Sequence, residues 1–228
     1  MKRLIALGLV FLLLAGCASE SLTIETLDKA RDFGAFHASA PTVAEANRAY
    51  ALVQAALDCY PEGFPEQWGR VNILLVGDLT GEEQFTGGHF AGFTQRTDGG
   101  WLMVLDAECC DTGTVHHELA HILDGILTEA GALTEAEWLS FCPSSFSYGS
   151  GNYGDYPDFF ADEYAMENMK EDRARTFEDA MLYGAGVYED KPALWLKLEA
   201  FSRAIRAHFD TENWPEKTAW EQALERTN

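Results

Sequence analysis

The amino-acid sequence predicts an α+β fold, with a small sheet in its N-terminal part and a mainly helical C-terminal part. Residues 71–77 (VNILLVG) are apolar and partly β-branched, as expected of a buried strand. Residues 101–106 (WLMVLD) form a second such segment. Residues 158–226 instead carry apolar side chains at helical spacing. Because the strands come early and the helices late, the pattern favours α+β over a doubly wound sheet.

Two helices are predicted in the first half of the chain. Residues 42–59 have apolar side chains at helical spacing, and Pro61 ends the helix. Residues 112–127 form the second helix, with Asp111 or Thr112 as its N-cap. The stretch 81–100, which is rich in Gly and Thr, is expected to be a loop or a hairpin.

Composition and charge limit the classes of function. The chain has 228 residues, of which 47% are hydrophobic, so it is long enough to bury a core. It has 16 Lys and Arg against 37 Asp and Glu, a formal net charge of −21. This charge argues against nucleic acid as a partner, because binding to phosphate backbones requires basic side chains. It argues equally against adsorption to anionic lipid headgroups.

The first residues have the layout of a secretory signal peptide. Lys2 and Arg3 precede the short apolar run Leu4–Leu14, and small residues then lead to Cys17. The run is too short for a comfortable transmembrane helix. The ending Leu14-Ala15-Gly16-Cys17 resembles the lipobox of bacterial lipoproteins, which implies cleavage before Cys17 and lipidation of its thiol.

The chain is therefore expected to divide into three parts. Residues 1–16 are the predicted signal peptide, 17–28 a lipidated tether, and 29–228 the folded domain. The mature protein is expected to be exported and attached to a membrane through acyl chains on Cys17, at the bacterial outer membrane or the cell surface.

Four cysteines remain in the predicted mature body: Cys59, Cys109, Cys110 and Cys142. An even number in an exported protein predicts two disulfides. Adjacent cysteines rarely bond each other. Cys59 is therefore expected to pair with one of the two neighbours and Cys142 with the other. A thiolate metal site is the less favoured alternative, because the Cys-x-x-Cys spacing of structural zinc is absent.

The segment 115–121 (VHHELAH) contains the pattern H-E-x-x-H within a predicted helix. His117 and His121 are four residues apart, so both imidazoles project from one face and can reach one metal ion. Glu118 stands beside them, where a carboxylate can take a proton from a metal-bound water and pass it to a leaving amine. His116 lacks this spacing and is expected to be a neighbour at the surface.

A catalytic zinc ion needs a third protein ligand and an open position for water. No third histidine follows at short spacing, because Asp124 and Leu127 occupy those positions. The third ligand is therefore expected to be a carboxylate from a later helix. Asp158 and Glu171 are the two candidates that the sequence offers.

The second half of this region resembles a known family. The run Tyr164-Ala165-x-x-Asn168-x-x-Glu171 is similar to the second signature of lethal-factor-like zincin peptidases and of related bacterial zinc metallopeptidase lipoproteins. The segment 117–124 (HELAHILD) is similar to their first motif. The resemblance covers about residues 101–181. It implies a zincin-like fold, Glu171 as the third zinc ligand, and Tyr164 as a phenol that stabilises the oxyanion.

Each candidate also has a purely structural explanation. Glu171 could simply stabilise the N-terminus of a helix. Asp158 could cap a helix after Pro157. Tyr164 could be a core aromatic. Asp124 could orient an imidazole or lie at the helix surface.

The sequence thus predicts a lipid-anchored zinc metallopeptidase that hydrolyses peptide or protein substrates. Zinc is expected on His117, His121 and Glu171, with Glu118 and Tyr164 as catalytic residues. The strand 101–106 is expected to be the sheet edge along which an extended peptide pairs. The alternative is a lipoprotein module for binding or assembly that holds zinc without turnover.

Overall fold

The computed structural model describes residues 21–81, 88–150 and 152–225. The strands are β1 (Leu22–Thr26), β2 (Arg31–Phe33), β3 (Phe36–Ser39), β4 (Val71–Gly81), β5 (Gly92–Thr97) and β6 (Gly100–Asp106). The helices are α1 (Val43–Leu57), α2 (Thr112–Glu129), α3 (Glu135–Leu139), α4 (Met169–Tyr183), α5 (Pro192–His208) and α6 (Ala219–Gln222). Short 3-10 turns lie at Pro65–Trp68, Tyr153–Asp155 and Tyr164–Met166. The mixture of a small sheet and several helices confirms the α+β prediction.

The sheet is built around β4. Its two neighbours on one side are β1, which is parallel to its first half, and β3, which is antiparallel to its second half. On the other side β4 is parallel to β6, and β6 is antiparallel to β5. Strand β2 completes the sheet beyond β3.

The prediction that residues 101–106 form the edge strand was wrong. These residues belong to β6, which lies between β4 and β5, so among the described residues β5 is the edge strand on this side of the sheet. Strand β5 lies in the Gly- and Thr-rich stretch that was expected to be a loop or a hairpin, and a β5–β6 hairpin is what forms there. Gly100 closes the hairpin with φ 141°, and a Cβ atom at this position would lie 2.1 Å from the carbonyl oxygen of Arg70.

The folded body also begins earlier than expected. Residues 17–28 were predicted to be a tether, but Leu22–Thr26 form β1, in register with Val71–Leu75 of β4. Leu22 and Ile24 point to the same side of this strand and pack against the main core, which explains why the segment joins the sheet. The predicted signal peptide and Cys17 lie outside the described residues.

The helices pack on one face of the sheet. Ile73, Leu75, Met103 and Leu105 contribute to the main hydrophobic core together with side chains from six helices. The alternate residues of the same strands point the other way into a smaller cluster with β2 and β3. Of the helices in the described part of the chain, none has the length and apolar character needed to cross a membrane.

The predicted disulfides are not formed. All four cysteines that were expected to pair are free thiols. Cys110 is buried in the main core, whereas Cys142 packs with Tyr148 in a separate aromatic cluster. Cys59 and Cys109 are exposed. The pairing rule failed because it used only the number and spacing of the cysteines, and the fold places Cys110 and Cys142 in different clusters.

Candidate metal centre

Helix α2 carries His117 and His121. It begins at a capping box in which Asp111 accepts a hydrogen bond from the Thr114 amide at 2.8 Å, so Asp111 is the N-cap. The helix buries its apolar face in the core and turns the two histidines toward a cleft. One turn beyond His121, Trp101 packs so closely on Gly125 that a Cβ atom there would lie 2.1 Å from the indole ring. This close packing fixes α2 against the sheet.

Helix α4 brings Glu171 to the same place. The helical pattern was expected to run from residue 158, but α4 begins only at Met169. The side chain of Asn168 caps it by accepting hydrogen bonds from the amides of Lys170 at 3.0 Å and Glu171 at 3.2 Å. Glu171 therefore lies in the first helical turn, where it faces the two histidines of α2.

Three ligand atoms converge at this point. Nε2 of His117 lies 3.1 Å from Nε2 of His121 and 3.1 Å from Oε2 of Glu171, and the third side of the triangle is 3.4 Å. A tetrahedral zinc ion with bonds of about 2.0–2.1 Å separates its ligand atoms by about 3.3–3.4 Å. Two imidazole nitrogens and one carboxylate oxygen are also typical ligands of catalytic zinc. The donors and their spacing therefore fit this ion.

The ionisation of Glu171 and His117 bears on whether the cluster can bind a cation. Burial alone would raise the pKa of Glu171, but hydrogen bonds with His117 and His121 outweigh it and hold the pKa well below its usual range. Burial alone would lower the pKa of His117, but Glu171 and Glu178 raise it to about 9. Glu171 is therefore ionised at neutral pH, as a metal-binding carboxylate is. A metal ion bound here would replace the proton of His117, because a ligating imidazole is neutral.

Glu178 is a site residue that the sequence analysis missed. Its Oε2 lies 3.1 Å from Nδ1 of His117, and its side chain is buried. A carboxylate on the second ring nitrogen fixes the tautomer and the orientation of a metal-binding imidazole. Glu178 lies seven residues after Glu171, two turns along the same face of α4. That spacing is the signal that could have revealed it.

Glu118 lines the cleft, and one of its carboxylate oxygens makes no hydrogen bond with the described residues. The residue is 5% exposed, and this oxygen is the buried Oε2. Burial raises the pKa of its carboxyl group, while His121 and His117 oppose the shift. Thr94 of β5 donates a hydrogen bond to the backbone carbonyl of Glu118 at 3.2 Å, which holds this turn of α2 against the edge strand. Because Glu118 lines the cleft, its carboxylate can accept a proton from a water molecule there.

Tyr164 stands on the 3-10 turn just before α4. It is 49% exposed, and the centre of its ring lies 6.0 Å from that of His117. Partial burial and the nearby carboxylates of Glu171 and Glu118 raise the pKa of its phenol. The hydroxyl therefore stays protonated at neutral pH and can donate a hydrogen bond. The turn separates Tyr164 from the α4 helix, so the phenol and Glu171 can face the same site.

Three other candidates lie elsewhere. Asp158 is exposed and is not part of the ligand cluster. Asp124, which was considered as a partner for an imidazole, instead accepts hydrogen bonds from Arg173 at 2.6 Å and from Thr128 at 3.2 Å. His116 was expected at the surface, but it is buried and bonded to the Tyr60 hydroxyl at 3.1 Å. Burial lowers its pKa to about 4.

The cluster opens into a cleft of about 960 Å³. Its floor is α2 from His117 to Glu129, one wall is the edge strand β5, and the other wall is the start of α4. Twelve residues of helix span about 18 Å, so the cleft is long enough for several residues of an extended peptide.

The chain was compared with known proteins. No protein-family model matches it, and neither does any curated protein. A crystallised protein from Bacteroides caccae ATCC 43185, named "putative zinc-binding metallo-peptidase", matches with a TM-score of 0.58 and 14% sequence identity. The match covers 90% of this chain and 83% of that chain. The two proteins share a fold. At this level of identity, the likeness extends to the fold alone.

Proposed function

We propose that this protein is a zinc-dependent peptidase, exported and anchored as a lipoprotein. The observation that carries the proposal is the triangle of His117, His121 and Glu171, with Glu118 lining the same cleft. The fold shared with the zinc-binding metallo-peptidase named above supports it. The zincin-like architecture implied by the sequence resemblance belongs to the same proposal.

His117, His121 and Glu171 would hold the zinc ion. Bound there, zinc would act as a Lewis acid that polarises the scissile carbonyl and favours ionisation of water. Glu178 keeps the His117 imidazole in the tautomer that leaves Nε2 free for the metal. The ionised carboxylate of Glu171 contributes the negative charge of the site.

Glu118 is the general base. Its carboxylate takes a proton from the attacking water and then passes it to the amine that leaves when the C–N bond breaks. The raised pKa brings its basicity closer to neutral pH, which favours both transfers. Tyr164 donates a hydrogen bond to the carbonyl oxygen as negative charge develops on it.

The substrate is an extended peptide or protein segment. Within the described part of the chain, β5 pairs with β6 and has no strand on its other side, and residues 93–96 line the cleft. An extended chain could add to this edge through main-chain hydrogen bonds. We therefore assign the substrate to β5 rather than to the strand 101–106. The lipid anchor at Cys17 would hold the enzyme at a membrane, and the mass of the mature N-terminus would reveal cleavage and acylation.

Glu118→Gln separates catalysis from metal binding. We expect this variant to keep its zinc and to lose hydrolysis of a quenched fluorescent peptide library by a factor of about 10² or more, because a neutral amide cannot accept the proton. Asp190→Asn, an exposed change far along the chain, serves as the control. Unchanged hydrolysis in Glu118→Gln would contradict the peptidase. Zinc binding without hydrolysis in the parent protein would favour a non-catalytic binding or assembly module.

A further inference from the structure

A chain of charged side chains connects the turn that carries Tyr164 to the imidazole of His117. Arg175 of α4 donates to Oδ2 of Asp162 from Nε at 2.9 Å and from Nη2 at 2.7 Å. Its Nη1 donates to Oε2 of Glu178. The same Oε2 is bonded to Nδ1 of His117. Arg175 therefore stands between Asp162 and the pair formed by Glu178 and His117.

The other end of this chain holds the turn itself. Oδ1 of Asp162 accepts a hydrogen bond from the amide of Ala165 at 2.9 Å. Ala165 lies within the 3-10 turn Tyr164–Met166, directly after Tyr164. The two oxygens of one carboxylate thus bond to the turn and to Arg175, which links the turn to α4.

The arrangement on α4 explains why one residue can make both contacts. Glu171, Arg175 and Glu178 lie at positions i, i+4 and i+7, so their side chains leave the helix on one face. That face is directed toward His117 and the Tyr164 turn. An arginine suits the middle position, because its planar guanidinium presents several donors in fixed directions to two carboxylates at once.

We propose that Arg175 and Asp162 are positioning residues that hold the Tyr164 phenol beside the imidazole of His117. They act through Tyr164 and Glu178 and do not touch the substrate. Tyr164 is half exposed on a short turn, and the contact of its hydroxyl with Glu171 fixes only the tip of the side chain. The Asp162–Arg175 pair fixes the backbone of the turn. This inference rests on the proposed function for its catalytic consequence, but the position of the phenol can be measured without turnover.

The first test observes Tyr164 directly. The protein is labelled with 3-fluorotyrosine, and Tyr164→Phe identifies the ¹⁹F resonance of Tyr164. In Asp162→Asn and in Arg175→Lys we expect this resonance to shift or broaden, while that of the exposed Tyr50 on α1 stays in place. Arg203→Lys, which alters an exposed ion pair with Glu137, is the matched control and should leave the spectrum unchanged. A Tyr164 resonance that is unchanged in both Asp162→Asn and Arg175→Lys would overturn the proposal.

The second test measures catalysis with the same variants. We expect Asp162→Asn to lower kcat by on the order of 10²-fold, with KM and zinc affinity within about twofold of the parent, because a small displacement of a catalytic group has effects of this size. In a Tyr164→Phe background, Asp162→Asn should have little further effect. An equal loss in both backgrounds would overturn the proposed route through Tyr164. If the parent protein hydrolyses nothing, the proposed function fails, and the ¹⁹F spectra still decide the positioning.

Discussion

At the scale of single residues, His117 is held at both ring nitrogens. Glu171 and His121 approach Nε2, and Glu178 approaches Nδ1. The two carboxylates have different environments, since Glu178 also accepts from Arg175 whereas Glu171 faces the cleft. In the proposed site, this difference assigns Glu171 to the metal ion and Glu178 to the orientation of the ring.

Glu178→Gln tests this assignment. We expect zinc affinity to fall by about 10- to 100-fold, because the orienting carboxylate is replaced by a neutral amide. Competition with a chromophoric chelator measures the affinity. Asp190→Asn is the control, since Asp190 is exposed between α4 and α5. An affinity equal to that of the parent would show that Glu178 does not support the imidazole.

The sequence predicts the residues that depend on local spacing. His117, Glu118 and His121 lie within a single helical turn and a half, so the helix periodicity alone brings them together. Glu171 could be chosen over Asp158 through the family resemblance, supported by the longer reach of a glutamate side chain and its place near a predicted helix start. Glu178 and His117 are 61 residues apart, and a contact over that distance depends on how α4 crosses α2. For the same reason, the sequence did not reveal that Arg173 pairs with Asp124.

At the scale of elements, α4 is anchored behind the metal centre by a buried ion pair. Asp172 and Lys197 of α5 are both fully buried, with Nζ 2.8 Å and 3.0 Å from the two carboxylate oxygens. Asp172 also accepts hydrogen bonds from Trp138 at 2.8 Å and Tyr148 at 2.6 Å. Because Asp172 follows Glu171 directly, this network fixes the helical turn that presents the proposed third ligand.

Lys197→Met is expected to be strongly destabilising. Removing the cation leaves a buried carboxylate without its charge partner, which costs about 3–5 kcal/mol of unfolding free energy. Urea unfolding measures the change, with Lys170→Met at an exposed position of α4 as the control. Adding Asp172→Asn to Lys197→Met should restore part of the lost stability. Equal stability of Lys197→Met and the parent would contradict the role assigned to the pair.

The strands that composition did not identify lie at the edge of the sheet. Residues 71–77 and 101–106 were recognised because buried strands are apolar. Strand β5 is mostly polar and half-exposed, so its composition resembles that of a loop. The position of a strand within a sheet depends on its partners, which the pattern of a single strand does not contain. Strand β1 was missed because only two apolar residues, Leu22 and Ile24, mark it as part of the body.

At the scale of the whole molecule, an ion pair connects the C-terminal helices α5 and α6. Glu221 of α6 accepts two hydrogen bonds from Arg206 of α5, at 2.8 Å and 2.6 Å. Burial alone would raise the pKa of Glu221, but Arg206, Thr218 and Ser202 outweigh it and lower the pKa to about 2. A carboxylate whose pKa falls on folding stabilises the protein above its unfolded pKa, and this contribution is lost as the pH falls toward the folded value.

Glu221→Gln should therefore be less stable than the parent by an amount that depends on pH. The difference in Tm between the two proteins is expected to reach its maximum above about pH 4.5, the pKa of glutamate in the unfolded chain. It should shrink as the pH falls to about 2. Thermal unfolding across this range measures it, with Glu137→Gln in the exposed pair with Arg203 as the control. A difference that stays constant between pH 6 and pH 2 would show that Glu221 contributes no charge-dependent stability.

The measurement that tests the metal centre most directly is the zinc content of the purified protein beside Glu171→Ala and Asp158→Ala. The two variants remove the two carboxylates that the sequence offered as third ligand, and only Glu171 lies in the cluster. We expect about one zinc ion per chain in the parent and in Asp158→Ala, and a greatly weakened site in Glu171→Ala. The proposed metal centre would be contradicted by a parent protein that does not bind zinc. It would also be contradicted if Asp158→Ala abolished zinc binding while Glu171→Ala retained it.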